Sequence, residues 1–234
     1  MFQFKQFAIA QDRCAMKVGT DGVLLGAWVP LIHNPYSILD IGTGTGVIAL
    51  MLAQRSHAEQ IDAIEIDDDA YEQATENFEN SPWNDRLYCY HAGLDEFVDE
   101  VEEEFDLIVS NPPFYTDEYK SSNEQRDTAR FEEALPFEEL VEAADYFLSD
   151  HGIFALIVPF KEEEKIISLC QDRSLFPLKI TRVKGTPTTE IKRSLLAFTR
   201  IQQTPFIDEL IIETARHQYT PEYIALTQDF YLKM

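Results

Sequence analysis

Basic side chains and cysteines are both scarce in this sequence of 234 residues. Its 19 Lys and Arg residues face 42 Asp and Glu residues, which gives a formal net charge of −23. Binding to nucleic acid without sequence preference depends on neutralised phosphates, so this charge balance argues against it. The three cysteines are scattered and have no C-x-x-C spacing, which indicates reduced, mostly buried thiols and no metal site.

Long apolar runs are also missing. No stretch approaches the roughly 18 apolar residues of a membrane span. The N-terminal MFQFKQFAIAQDR is too short and too polar for a signal peptide. We therefore expect a cytoplasmic protein without a membrane partner. The hydrophobic content of 45% and aromatic content of 12% are typical of a globular chain.

The charges are unevenly distributed along the chain. From residue 59 to residue 106 the only basic residue is Arg86. From residue 173 to residue 200 a single acid, Glu190, accompanies seven basic residues: Arg173, Lys179, Arg182, Lys184, Lys192, Arg193 and Arg200. A basic front on an acidic protein and an ordinary solvated face are equally good interpretations of this pattern.

Apolar, β-rich runs alternate with helical patterns, which predicts βαβ units and a parallel sheet. The runs are SILDIG (37–42), IDAIEID (61–67), RLYCYHA (86–92), FDLIVS (105–110) and GIFALIVP (152–159). LKITRVKG and SLLAFTRIQ follow without a helix between them, which predicts an antiparallel hairpin at one edge. We expect an α/β fold with a mostly parallel seven-stranded sheet and helices on both faces.

The length favours a single domain over residues 1–234. We divide it into a β arm and helix over 1–35, a core over 36–201 and a C-terminal extension over 202–234. The polar segment 115–135 is longer than an ordinary loop, which is typical of a lid or a substrate loop.

A glycine-rich turn joins the first predicted core strand to a helix in LDIGTGTGVIAL (39–50). Gly42, Gly44 and Gly46 have the spacing G-x-G-x-G, and Val47 stands where a dinucleotide fingerprint needs a further glycine. Such glycines allow a tight turn and the close approach of a ligand, beside helix amides that suit an anion. Glu65, at the end of the next strand, has the place of an acid that binds ribose hydroxyls. A tight turn without a ligand is the alternative.

The stretch SNPPFY follows the apolar run FDLIV directly. Proline cannot donate to a sheet ladder, so the strand must end at Pro112 and Pro113, at the edge where open α/β sheets bind ligands. The Asn111 side-chain oxygen and the Pro112 carbonyl form a candidate acceptor pair for the two N–H bonds of an amino group. The prolines stiffen this turn, and Phe114 offers a ring for stacking.

Taken together, LDIGTGTG, Glu65 and SNPPF resemble the class I S-adenosylmethionine-dependent methyltransferases, which have a Rossmann-like fold. The resemblance covers nearly the whole chain. It implies S-adenosyl-L-methionine as cofactor and S-adenosyl-L-homocysteine as product. It also implies that Asp40, Gly42, Gly44 and Gly46 line the methionine end and that Glu65 binds the ribose.

At the end of the third core strand, many members of that superfamily have an acid that contacts the adenine amino group. HAGLDEF has Gly93 and Leu94 there, with Asp95 one or two positions late. The resemblance therefore assigns this cofactor position to Leu94.

The NPPF motif resembles those of amino-group methyltransferases, which act on adenine N6, guanine N2 or the glutamine amide. Two flanking stretches, MKVGTDGVLLGAWV (16–29) and YTPEYIALTQDFYLKM (219–234), narrow the resemblance. With Ala129-Arg130, they resemble the bacterial family that methylates N6 of adenine 37 in valine tRNA. This implies a tRNA partner and the cofactor-binding residues Lys17, Gly19, Thr20 and Asp21. Asp21 is also a good N-cap for the helix that follows.

Four residues are candidates for binding the substrate: Tyr115, Arg130, Lys192 and Arg193. Arg130 would lie near the target phosphate, and the basic residues from 184 to 200 would meet the tRNA backbone. Salt bridges to neighbouring acids are an equal alternative for Arg130. We expect a monomer.

Three rival functions remain at this point. A glutamine methyltransferase acting on a release factor usually has a separate N-terminal helical domain, whereas only about 36 residues precede the first core strand here. A guanine N2 methyltransferase of ribosomal RNA often has a duplicated domain. The third is a non-catalytic partner protein that binds the cofactor, which would have no use for the acceptor pair.

Overall fold

A twisted central sheet with helices on both faces organises the chain. The computed structural model describes residues 1–113 and 135–233. The strands are β1 (Phe2–Gln3), β2 (Ala8–Ile9), β3 (Ser37–Ile41), β4 (Gln60–Glu65), β5 (Leu87–His91), β6 (Phe105–Ser110), β7 (Leu148–Pro159), β8 (Phe176–Lys184), β9 (Ile191–Thr199), β10 (Phe206–Ile211), β11 (Glu213–Ala215) and β12 (Gln218–Tyr219). The helices of the described residues are α1 (Thr20–Trp28), α2 (Val47–Arg55), α3 (Asp68–Glu79), α4 (Leu94–Glu100), α5 (Phe137–Phe147), α6 (Glu163–Asp172) and α7 (Pro221–Thr227). A short 3₁₀ helix, Phe160–Glu162, precedes α6.

The main sheet has the strand order β10-β8-β9-β7-β6-β3-β4-β5. Strands β3 to β7 are parallel, and β9 lies antiparallel between β7 and β8. This confirms the predicted α/β class and the hairpin. The predicted number of seven strands is one too few for the described residues, because β10 adds an eighth strand parallel to β8. Its sequence FIDELI lies in the segment that we interpreted as a C-terminal extension.

Two apolar clusters cover the faces of the sheet, as the fully apolar strands require. In β6, Leu107 and Val109 join the cluster under α1 and α2, whereas Ile108 joins the cluster under α5 and α6. This alternation follows from the period of two along a strand. All three side chains are buried.

The two ends of the chain meet on one face. Phe4 forms an isolated antiparallel bridge with Tyr231, and the N–H of Lys5 donates to the Phe230 carbonyl at 2.8 Å. Phe4 and Phe230 are buried in the same cluster as Leu24 of α1. The two flanking stretches that carried the family resemblance are therefore neighbours in space.

Within residues 1–113 and 135–233, no helix is both long and apolar enough to cross a membrane. The same residues contain no cluster of His, Cys, Asp or Glu that could hold a metal ion. The three cysteines have free thiols.

Candidate active site

The site lies at the carboxyl ends of β3, β4 and β6. Ile41 at the end of β3 pairs with Ile64 of β4 on one side and with Ser110 of β6 on the other. The Ser110 hydroxyl also donates to the Ile41 carbonyl at 2.9 Å. From β3 the chain continues to β4 and β5 on one side and later returns to β6 on the other. This is the topological switch point at which open α/β sheets bind ligands.

The three glycines after β3 all have left-handed backbone angles, with φ of +71° at Gly42, +57° at Gly44 and +78° at Gly46. L-residues with a side chain rarely adopt such angles. A Cβ atom at Gly42 or Gly44 would meet nothing within 4 Å, so open space lies over this part of the loop. A Cβ atom at Gly46 would lie 2.5 Å from Cε1 of Phe78. Gly46 therefore allows α3 to pack against the loop.

Hydrogen bonds to the Glu65 carboxylate connect the glycine loop to the end of β4. Its Oε2 accepts from the N–H of Gly44 at 2.8 Å, and its Oε1 accepts from the N–H groups of Ile66 and Asp67 at 3.0 Å each. A carboxylate oxygen can accept two hydrogen bonds, so Oε2 retains the capacity for one further donor. The carboxylate is thus fixed and still able to bind a hydroxyl group.

Asp40 lies beneath the loop and is fully buried. Its Oδ2 accepts from the Thr43 hydroxyl at 2.7 Å and from the Ala49 N–H at 3.2 Å. Its Oδ1 accepts no hydrogen bond from the described residues. Burial raises the pKa of Asp40 to about 7, against the opposing effect of the hydrogen bond from Thr43. Asp40 therefore stabilises the loop through hydrogen bonds made inside the core.

Ile66, which the sequence did not indicate as a site residue, follows Glu65 directly and lies with Asp95 around Gly93. Ile66 comes directly after β4 and is 62% exposed. A Cβ atom at Gly93 would lie 3.5 Å from Cδ1 of Ile66 and 2.7 Å from Oδ1 of Asp95. An apolar surface and a carboxylate therefore lie against the same side of Gly93. Leu94 is half-buried against the apolar cluster under α5, and its place at the cofactor stays a prediction.

The segment before α1 leads Lys17, Gly19 and Thr20 to the surface. The N-cap of α1 is Gly19, which is extended and makes no side-chain cap. Our interpretation of Asp21 as the N-cap was therefore wrong, and Asp21 lies in the first helical turn. Its Oδ2 accepts from Nε of Arg193 at 2.7 Å. The structure thus joins an expected cofactor residue to an expected substrate residue.

Asn77 of α3 links the N-terminal arm to the glycine loop, a role that the sequence did not indicate. Its Oδ1 accepts from the Ala10 N–H at 2.8 Å. Its Nδ2 donates to the carbonyls of Ala10 and Thr45 at 2.9 Å each. Gln73, one turn earlier, accepts from the backbone N–H groups of Asp12 and Arg13 at 3.1 Å each. The arm therefore lies along α3 beside the site.

Asn111 follows β6 directly, as expected. Its Oδ1 is buried and accepts no hydrogen bond from the described residues. Pro112 is buried and Pro113 is half-buried. A buried acceptor without a donor costs roughly 1–3 kcal/mol, so such groups call for a functional explanation. Phe114, Tyr115 and Arg130 lie outside the described residues.

Most of the basic residues between 173 and 200 are paired with acids of the chain. The pairs with their shortest N–O distances are Arg173–Glu142 (3.1 Å), Arg182–Glu163 (2.6 Å), Lys184–Glu209 (2.8 Å), Arg193–Asp21 (2.7 Å) and Arg200–Asp145 (2.7 Å). Lys179 lies over the Trp28 ring, with Nζ 4.8 Å from the ring centroid. Lys192 is exposed and has no ion-pair partner among the residues that the structure describes. Five of the seven basic residues are thus paired with acids, which favours the ordinary solvated face over the basic front.

Comparisons with known proteins show which family the chain belongs to. A family model described as "Methyltransferase small domain" matches residues 27–165. The chain is 70% identical over 235 residues to a protein of Flavobacterium johnsoniae and 69% identical over 234 residues to one of Flavobacterium psychrophilum, with 100% of each chain covered. Both relatives are named tRNA1(Val) (adenine(37)-N6)-methyltransferase.

A solved structure also matches, described as a predicted O-methyltransferase from Agrobacterium tumefaciens. It superimposes with a TM-score of 0.71 at 21% identity and covers 90% of this chain and 96% of its own. At that identity the likeness concerns the fold alone.

The fold, the glycine loop and the family match define a methyltransferase, an enzyme that moves a methyl group onto an acceptor. Since relatives with about 70% identity match over their full length, the chain belongs to the tRNA1(Val) (adenine(37)-N6)-methyltransferase family.

Proposed function

We propose that this enzyme transfers the methyl group of S-adenosyl-L-methionine to N6 of adenine 37 in the anticodon loop of valine tRNA. The names of the full-length relatives support the substrate. The observation that carries the chemistry is the buried Oδ1 of Asn111, which has no donor among the described residues at the switch point of the sheet.

The described residues fit the cofactor. Glu65 has a fixed carboxylate with capacity for a ribose hydroxyl. Open space over Gly42 and Gly44 suits the methionine end, and Asp40 keeps that loop in place. Ile66 offers an apolar surface for adenine, with Asp95 beside it. When bound, S-adenosyl-L-methionine supplies a methyl group on positively charged sulfur and becomes S-adenosyl-L-homocysteine.

Asn111 and Pro112 act on the acceptor. The amino nitrogen of adenine is a poor nucleophile because its lone pair is delocalised into the ring. The Asn111 Oδ1 and the Pro112 carbonyl accept hydrogen bonds from its two N–H groups, which favours a pyramidal nitrogen with a free lone pair. Pro112 and Pro113 hold these oxygens rigid, and Phe114 stacks on the base. Once the nitrogen carries the methyl group it is cationic and acidic, so it loses a proton to solvent without a strong base. The catalysis is positioning and electrostatics.

An anticodon loop is a suitable substrate for such a site. Its bases are unstacked or easily unstacked, so an adenine enters the pocket at little cost. We assign Lys192 to the tRNA backbone, since it is exposed and unpaired among the described residues. Arg193 lies next to it, held by Asp21. Tyr115 and Arg130 complete the proposed substrate site.

We also propose that residues 1–234 form one domain that acts as a cytoplasmic monomer. The shared cluster of Phe4, Leu24 and Phe230, which joins both ends to the core, supports the single domain. One cooperative unfolding transition and a mass near 27.0 kDa by light scattering are expected. Two separate transitions or a dimer mass would contradict this proposal.

The substrate is tested by methyl transfer from labelled cofactor to three unmodified transcripts. These are valine tRNA, the same tRNA with guanine at position 37, and a tRNA for another amino acid. We expect N6-methyladenosine in the first transcript alone. Label in the guanine-37 transcript would show that the enzyme methylates a base other than adenine 37. No label in any tRNA would contradict the proposal that tRNA is the substrate.

A further inference from the structure

An exposed aromatic ring stands at the carboxyl end of β7, beside the strand that carries Asn111. Phe160 follows Pro159 directly and remains 37% exposed. Since Ser110 of β6 pairs with Leu156 of β7, Asn111 is level with the residue after Leu156. At about 3.3 Å per strand residue, Phe160 lies roughly 10 Å farther along the strand direction than this level. The ring is therefore on the substrate edge of the sheet.

A fixed guanidinium supports this ring. The Cζ of Arg182 lies 5.6 Å from the Phe160 ring centroid. Nε and Nη2 of Arg182 donate to Oε1 of Glu163 at 3.1 and 2.6 Å, and Nε lies 3.2 Å from Oε2. Glu163 is buried, and its Oε2 also accepts from the Ser194 hydroxyl. Two nitrogens of the guanidinium thus donate to one buried carboxylate, which fixes the orientation of the guanidinium beside the ring.

The charges around the ring cancel. Glu163 neutralises Arg182, and Lys161 lies 4.0 Å from the carboxylate of its neighbour Glu162. A site for phosphate needs unpaired positive charge, which neither Arg182 nor Lys161 supplies. What it offers is a flat, rigid, partly exposed π surface, and nucleic-acid bases stack on such surfaces whatever their identity.

We propose that Phe160, supported by Arg182, is a stacking platform for an unstacked RNA base next to the adenine that is methylated. This inference rests on the proposed tRNA function. It adds a positioning residue that stacks on a base next to the methylated adenine, separate from the phosphate contact assigned to Lys192. The Arg182–Glu163 pair serves the platform by holding the guanidinium in place.

The test compares three substitutions of one residue. Phe160→Ala removes the ring, Phe160→Leu keeps apolar bulk without a π face, and Phe160→Trp keeps a larger π face. Base–aromatic stacking is worth roughly 1–3 kcal/mol, so Phe160→Ala and Phe160→Leu are expected to raise KM for tRNA by about 5- to 150-fold. Phe160→Trp is expected to keep the wild-type KM.

Three further readouts separate stacking from a structural role. Cofactor affinity and melting temperature are expected to stay at the wild-type level in every Phe160 variant. The slope of log KM against log salt is also expected to stay unchanged, because no phosphate contact is lost. Tyr88→Ala is the matched control. Tyr88 is a 46% exposed aromatic residue on β5, the outermost strand on the far side of β6 from β7.

The outcomes are distinguishable. If the wild-type enzyme methylates tRNA and Phe160→Ala has the wild-type KM, the stacking role of Phe160 is contradicted and the proposed function is not. A Phe160→Leu variant that behaves like Phe160→Trp would show that apolar bulk alone matters, which also contradicts stacking. A wild-type enzyme that methylates no tRNA would overturn both proposals.

Discussion

The N–H of Gly44 donates to the carboxylate of Glu65 at 2.8 Å, which fixes the glycine loop to the end of the neighbouring strand. The contact joins residues 21 positions apart and orients Oε2 beside the space over Gly44. One side chain therefore shapes the loop and presents an acceptor to a ligand.

Glu65→Gln tests both roles together. The amide keeps one acceptor oxygen, but its NH2 group must face at least one backbone N–H of Gly44, Ile66 or Asp67. We expect cofactor affinity to fall by at least about tenfold and stability to fall by roughly 1–3 kcal/mol. Calorimetric titration with S-adenosyl-L-homocysteine and chemical denaturation measure these effects. The control is Glu79→Gln, at an exposed position on α3; equal losses in both variants would contradict the account.

Alanine at Gly44 and alanine at Gly46 are expected to have different effects. Both positions have positive φ, which costs a residue with a Cβ roughly 1–2 kcal/mol. Only Gly46→Ala also collides with Phe78, which adds about 1–3 kcal/mol of overpacking. Gly44→Ala instead places a methyl group in the open space over the loop and should mainly weaken cofactor binding. Denaturant midpoints and cofactor titration separate the two, and equal destabilisation would contradict the packing role of Gly46.

Asp40 gives the protein a pH dependence of stability. Its pKa is raised by burial from 3.8 to about 7, so between these values the folded state binds more protons than the unfolded state. Stability from this group is therefore greatest below pH 3.8, falls as the pH rises and levels off near pH 7. Asp40→Asn removes this dependence, and the stability difference between wild type and variant should change by a few kcal/mol over that window.

Asp62 is the matched control for this pH dependence. Burial raises its pKa to about 6, against the opposing hydrogen bond from Gln60. The stability difference for Asp62→Asn should therefore level off about one pH unit earlier than that for Asp40→Asn. Denaturation curves from pH 4 to pH 8 measure both, and a flat difference for Asp40→Asn would rule out the raised pKa.

Lys192→Ala tests the proposed phosphate contact. Each phosphate contact contributes about 0.7–0.9 to the slope of log affinity against log salt, so the slope should decrease by about that amount. Lys165→Ala is the control, because Lys165 of α6 is already paired with Glu138 of α5 at 2.9 Å. Filter binding of valine tRNA between low and physiological salt gives the slopes. An unchanged slope in Lys192→Ala would remove this residue from the interface.

Local constraints made part of this site predictable from the sequence. The left-handed turns at Gly42, Gly44 and Gly46 require glycine, and the strand end before Pro112 follows from the missing N–H of proline. These features depend on residues adjacent in the chain. The parallel core strands were predictable for the same reason, since their apolar runs are continuous.

The remainder depends on contacts between distant segments. Arg193 and Asp21 are 172 positions apart, and Asn77 meets Ala10 across 67 positions. The acids that pair with the basic run come from other elements, so charge counted along the chain could not decide between a basic front and a solvated face. Strand β10 was missed because FIDELI has a half-exposed edge pattern, without the continuous apolar run of a central strand.

The central claim is that the Asn111 Oδ1 accepts a hydrogen bond from the amino group that is methylated. The most direct test is the single-turnover rate of methyl transfer to valine tRNA by Asn111→Ala, with the affinity for S-adenosyl-L-homocysteine measured in parallel. We predict a rate lower by roughly 10²–10³-fold, as for the loss of one preorganised catalytic hydrogen bond, with unchanged cofactor affinity. A rate equal to that of the wild type, or a loss of rate explained by weaker cofactor binding, would contradict the account.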